Sequence, residues 1–144
     1  MKKILLAIAA VASFTVSNLA LAQVACPGVT TRVTNISGLV SGNTMCAARA
    51  PDRWQEFHQG PGASGNLIDW KLGAGDPVDP TEQVGTWSST NGANSSLTHT
   101  YTGGSFTWLV CTDGAANPTF TLISFAAAGT VSGVKVLTSQ VACP

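Results

Sequence analysis

The chain has 144 residues, 7 basic against 7 acidic, with charged residues at only 10% and glycine plentiful. That length holds one domain around one core, and no basic run or stripe offers a nucleic-acid footprint. Sparse charge with abundant Gly, Ser, Thr and Ala suits a β-rich exported protein and argues against a helical one.

The first element in chain order is a targeting signal. Met1-Lys2-Lys3 forms a basic start, Ile4 to Val16 an apolar run, and Ala20-Leu21-Ala22 a cleavage site. This predicts a signal peptide over residues 1–22 and a single disulfide-stapled β-domain over 23–144. The apolar run is shorter than the roughly 20 residues a membrane-crossing helix needs, and no later stretch reaches that length, so no membrane span is expected. Losing Lys2 and Lys3 leaves 5 basic against 7 acidic residues, a net charge of about −2.

The mature chain then opens on Gln23-Val24-Ala25-Cys26-Pro27, and the same five residues close it at Gln140–Pro144. A lipidation site wants an aliphatic residue three before its Cys; Gln23 stands there instead, so Cys26 reads as a half-cystine. Cys26, Cys46, Cys111 and Cys143 predict two disulfides in an oxidising compartment, periplasmic or extracellular. Three connectivities are open: sequential pairing closes short loops, and nested pairing joins the two QVACP copies directly. No C-x-x-C pair supports zinc.

Residues 29–40, around Ile36, Leu39 and Val40, fit either a strand or a short helix. Asn43–Arg49 and Asp52–His58 read as strands, with Gly60–Gly65 as the loop that follows. Asn66–Leu72 alternates, and Ile68, Trp70 and Leu72 make its apolar face. Gly73–Glu82 is irregular, and Val84–Ser89 is the next strand. Leu97–Tyr101 and Ser105–Cys111 form a hairpin about Gly103-Gly104. Thr119–Phe125 and Val131–Val141 complete the series. Some eight strands with tight turns predict an all-β antiparallel up-and-down meander, barrel or sandwich. Closure would hide its edges.

Chemistry concentrates in Trp54-Gln55-Glu56-Phe57-His58. Period two puts Trp54, Glu56 and His58 on one face. A Glu and a His beside an aromatic make a candidate acid/base pair, with Asp69 a third catalytic candidate. Otherwise the cluster is the polar rim of a barrel. No nucleophile elbow is present and the cysteines are committed to disulfides, so a triad is not supported. Asp76, Asp79 and Glu82 are candidate oxygen ligands for a calcium ion, but Pro77 and Pro80 stiffen the loop, the spacing matches no EF-hand, and the two Asp-Pro steps read as turns, so no metal site is expected. Among the four tryptophans, Trp70 and Trp108 sit on apolar faces and read as core. Trp54 and Trp87 then join Glu56 and His58 as the ligand-binding set. No cofactor is expected.

The strings SGNTMCA, DRWQEFHQGPGASGNLIDWKLGAGDPVDPTEQVGTWS, LTHTYTGG and FTWLV resemble a group of small exported proteobacterial proteins with similar G-N-T-x-C, W-Q-E-x-H and D-P-V-D-P…V-G-T-W patterns. The likeness runs over residues 38–110 and implies no particular activity. Phe120–Phe125 departs from it, lacking a Cys where a strand-end half-cystine is expected. Val84-Gly85-Thr86-Trp87 also resembles the G-x-W strand of calycin barrels, which implies a Trp plugging one barrel end. The leading expectation is an exported non-catalytic binding protein whose partner is a small apolar molecule, a glycan or another exported protein. A self-assembling surface or matrix subunit, and a hydrolase or lyase using Glu56 and His58, are the other two.

Overall fold

The computed structural model describes residues 24–49, 52–69, 81–126 and 129–144. Trp70, Asp76 and Asp79, like the predicted leader over 1–22, lie outside the described residues. The elements are β1 (Thr31–Arg32), α1 (Ile36–Val40), β2 (Asn43–Arg49), β3 (Asp52–Gln59) and β4 (Ser64–Asp69). They continue with β5 (Glu82–Thr90), β6 (Ser96–Tyr101), β7 (Gly104–Thr112), β8 (Phe120–Ser124) and β9 (Thr130–Thr138).

Each strand from β2 to β9 pairs antiparallel with the next, and β9 returns to β2. The meander is thus an eight-stranded closed barrel. Closure gives each of those strands a partner on both sides, which an open sheet of the same sequence would deny to two of them. β1 adds a short ninth strand beyond β6, pairing Thr31 and Arg32 with Thr112 and Cys111 of β7.

The ambiguous segment 29–40 holds both predicted alternatives, β1 and then α1. Asn35 caps the helix, its Oδ1 accepting from the Gly38 amide at 3.0 Å. Ile36 and Val40, one helical turn apart, are fully buried and stopper the barrel against Met45, Leu67, Trp87, Leu97 and Val110. The last residues of β2, β4, β6 and β8 all lie toward the opposite end. One end is plugged with apolar side chains; the other is called the mouth below.

Alternation decides which residues point inward, and in one strand it differs from the sequence expectation. Leu67, not Ile68, is the core residue of β4. Its register sets it opposite His58 on one side and Gly85 on the other, and both of those positions face the lumen. Ile68 stays half-buried on the outer face. Trp108, expected in the core, is likewise half-buried.

The disulfides follow the third connectivity, Cys26–Cys111 and Cys46–Cys143, each with Cα atoms 5.7 Å apart. Neither the sequential nor the nested scheme is realised. Each QVACP copy is a strap onto the barrel: the first holds the N-terminal segment to β7, the second holds the C-terminal tail across the outer face of β2 and β3. Along that tail the Thr44 hydroxyl donates to the Ser139 carbonyl at 2.8 Å and accepts from the Val141 amide at 3.2 Å. Two disulfides belong to an oxidising, non-cytoplasmic compartment. No helix among the described residues is long and apolar enough to cross a membrane.

Candidate functional site

Period-two alternation in β3 aims Trp54, Glu56 and His58 into the lumen. The same alternation in β6 does so for Leu97, His99 and Tyr101, and in β7 for Phe106, Trp108 and Val110. Register then stacks these rows. His99 lies opposite both Trp87 and Phe106, while Tyr101 lies opposite Gly85 and Gly104. Gly85, the glycine of the G-x-W string, is required there: a Cβ would run into the Thr100 carbonyl oxygen and press on the Tyr101 ring. Strands β3 and β6 are not neighbours in the sheet, so their polar side chains meet only across the lumen.

They meet as a chain. The Tyr101 hydroxyl donates to Glu56 Oε1. Glu56 Oε2 lies 3.3 Å from His99 Nδ1. His99 Nε2 lies 3.0 Å from His58 Nε2, and His58 Nδ1 lies 3.1 Å from the backbone oxygen of Glu56. Glu56, His58 and His99 are each at most 4% exposed.

The protonation pattern follows from the far end. A backbone carbonyl only accepts, so His58 Nδ1 carries its proton and, in the neutral ring, Nε2 is an acceptor. His99 Nε2 is then the donor between the rings, and His99 Nδ1 an acceptor. Glu56 Oε2 itself has no hydrogen-bond partner among the described residues, and the Tyr101 hydroxyl lies 3.4 Å from the same His99 Nδ1.

Burial favours the neutral form of each group. It raises Glu56 to about 7 despite the Tyr101 hydrogen bond, with the Asp69 carboxylate adding to the rise. Burial lowers His58 to about 4, opposed by hydrogen bonds to the Glu56 and Asn43 backbones. It also holds His99 well below the ordinary imidazole range, helped by His58. Burial and the neighbouring Glu56 raise Tyr101, so its phenol stays protonated.

Above this floor opens a pocket of about 200 Å³, lined by Trp54, Tyr101, Phe106, Trp108, Leu122 and Val131 together with Glu56 and His99. Phe106 stacks on Trp108 with centroids 6.2 Å apart and packs edge-on to Tyr101 at 6.0 Å. A larger cavity, about 460 Å³, lies beside the C-terminal tail and reaches the rim at Trp54. It brings Arg53 and Lys135 near Pro144 but holds none of the buried polar chain.

The sequence-derived set divides in two. Trp54 and Glu56 line the pocket. His58 sits one residue deeper, behind His99, and Trp87 deeper still, its indole N–H donating to the Gln59 carbonyl at 3.1 Å and its ring edge-on to His58. Asp69 is the cross-strand neighbour of Glu56 and acts on it through charge. Glu82 is exposed at the start of β5, and no group of three metal-ligating side chains gathers among the described residues.

His99, Tyr101, Phe106 and Trp108 were not singled out for binding from sequence. The Leu-Thr-His-Thr-Tyr alternation does place His99 and Tyr101 on one face, which is the signal that was available. No family model, curated protein or solved structure matches this chain. The geometry of the site therefore bears the functional reading alone.

Proposed function

We propose that this protein is an exported, non-catalytic binding protein that holds a small, largely apolar molecule in the mouth of its barrel. One observation carries the reading: an aromatic-walled pocket stands over a buried polar floor, in a barrel whose other end is plugged. Pockets of this kind bind through shape and apolar contact and orient through a few polar groups. A cavity of about 150 Å³ lined by apolar side chains suffices for benzene, so 200 Å³ suits a single substituted ring or a short aliphatic chain. A glycan, with a hydroxyl on nearly every carbon, fits such walls poorly. Edge-to-edge assembly into a matrix has little to build on where barrel strands are paired on both sides.

Trp54 and Trp108 in the pocket wall make tryptophan emission the natural readout. Titration with small aromatic and aliphatic compounds, lipids and glycans is expected to quench emission and raise the melting temperature for the small apolar compounds alone. A Trp54→Ala variant should bind them more weakly. An absence of thermal shift across the whole panel would sink the proposal.

A second reading, a hydrolase or lyase working through Glu56, is favoured by a carboxyl that titrates near 7 beside a pocket. It demands turnover that Glu56→Gln abolishes. Ligand binding without turnover leaves the first reading standing.

A further inference from the structure

The fold leaves over one polar group in the pocket wall, and that group has a single chemical role. The Trp108 indole N–H is buried and has no hydrogen-bond partner among the described residues, although Trp108 lines the pocket. Trp87 shows the contrast: it belongs to the closed end, and its N–H is spent on the Gln59 carbonyl at 3.1 Å. A buried donor left without an acceptor costs about 1–3 kcal/mol, and native folds seldom keep one without a reason. On Trp108 that cost falls on a ring that also borders the cavity. Phe106, which stacks on it with centroids 6.2 Å apart, is 43% exposed. The pair can therefore turn by the small angle that brings the N–H onto an incoming atom.

The rest of the lining does not compete for the choice. Glu56 Oε2 is also buried without a partner, but a carboxyl oxygen donates or accepts according to its protonation and suits either kind of ligand. An indole N–H only donates, so a ligand that completes it must bring a lone pair. Charge narrows the class further. Among the described residues no Lys or Arg lines the pocket, burial holds His99 neutral, and Asp69 acts on Glu56 from the neighbouring strand. A carboxylate or phosphate would lose its hydration there and gain no counter-charge. An ammonium ion has no lone pair to offer.

We propose that the pocket takes an uncharged acceptor, a ketone, aldehyde or ester on a small apolar frame, whose oxygen receives the Trp108 indole proton. This rests on reading the pocket as the binding site. A hydrocarbon of the same shape gains the apolar contacts and leaves the N–H stranded. The carbonyl compound gains both.

Four near-isosteric probes test it on the wild-type protein at pH 6: acetophenone, α-methylstyrene, 1-phenylethylamine and benzoate. α-Methylstyrene replaces the carbonyl oxygen by a methylene group and keeps the planar shape. Calorimetry gives the affinities. Acetophenone is expected to bind on the order of tenfold more tightly than α-methylstyrene, a gap of one net hydrogen bond, and more tightly than either charged probe. In isotope-labelled protein the Trp108 indole N–H resonance, identified by its absence in Trp108→Phe, should move downfield with acetophenone and stay in place with α-methylstyrene. The same variant should bring the ratio of those two affinities to about one. Equal affinity for the two in the wild type would overturn the acceptor requirement while leaving the pocket as a binding site. Tightest binding of 1-phenylethylamine or benzoate would overturn it in favour of recognition by charge. An acetophenone preference that survives Trp108→Phe would overturn the assignment to the indole. Binding of none of the four, with the wider panel also silent, would remove the pocket reading itself.

Discussion

Replacing Glu56 by glutamine probes the buried chain most directly. The amide offers a carbonyl oxygen to the Tyr101 hydroxyl and, like a neutral carboxyl, carries no charge into the buried site. Near pH 4.5 the cost should therefore be small, about 1 kcal/mol or less, set by the second amide hydrogen. With rising pH the two proteins diverge. The folded-state pKa of Glu56 is raised from 4.5 to about 7, so between those values the native state keeps a proton that the unfolded chain has released. Wild-type stability falls across that window at up to about 1.4 kcal/mol per pH unit, roughly 3 kcal/mol in all, and is flat from this group above it. Glutamine does not titrate, so Glu56→Gln should gain about 3 kcal/mol relative to wild type between pH 4.5 and pH 8. Urea unfolding followed by tryptophan fluorescence at several pH values measures the difference. A penalty of 3 kcal/mol or more that persists at every pH would refute the reasoning. It would mean that Glu56 is ionised in the folded protein.

The histidines act with opposite sign: His58 is lowered from 6.5 to about 4 and His99 is lowered too. Stability from both is present above pH 6.5 and is lost as pH falls toward 4, so wild-type urea midpoints should peak near pH 6.5. The acidic decline should persist in Glu56→Gln while the alkaline decline disappears. Trp87→Ala should cost about 3–5 kcal/mol in chemical denaturation, because it empties the closed end of the barrel. Trp54→Ala, at the mouth, should cost less stability and more ligand affinity; the reverse order would misplace the site. Replacing Cys46 and Cys143 by serine together should lower stability by about 2–5 kcal/mol, since that bond spans 97 residues. Ligand affinity should stay unchanged, because the tail it straps lies outside the barrel.

The strand series was legible because its signal is local. Alternation in Trp54–His58 and Leu97–Tyr101, glycine at the Tyr101–Gly104 turn, and the Asp113-Gly114 and Asn117-Pro118 steps between β7 and β8 each act within a few residues. Four cysteines likewise announced two disulfides. Where only one strand was weighed at a time, the inner face of β4 came out reversed. Ile68 and Leu67 are equally apolar, and nothing within the segment says which of them shares a face with His58.

The partners of Glu56 were out of reach for the same reason. A period-two pattern puts His99 and Tyr101 on one face of β6 and Glu56 and His58 on one face of β3, but says nothing about whether those faces look at each other. Closure of the sheet between β9 and β2 makes them do so, bringing residues 41 to 45 positions apart into hydrogen-bond contact. The same closure sends each QVACP cysteine to a barrel strand instead of to its twin. By itself the sequence determined the strands, their turns, the oxidised cysteines and the candidate face of β3, all of which are set by neighbours in the chain. The tertiary structure alone decided the inside of the barrel, the crossed disulfides and the meeting of Glu56 with His99 and Tyr101, since each depends on which distant strands share a lumen.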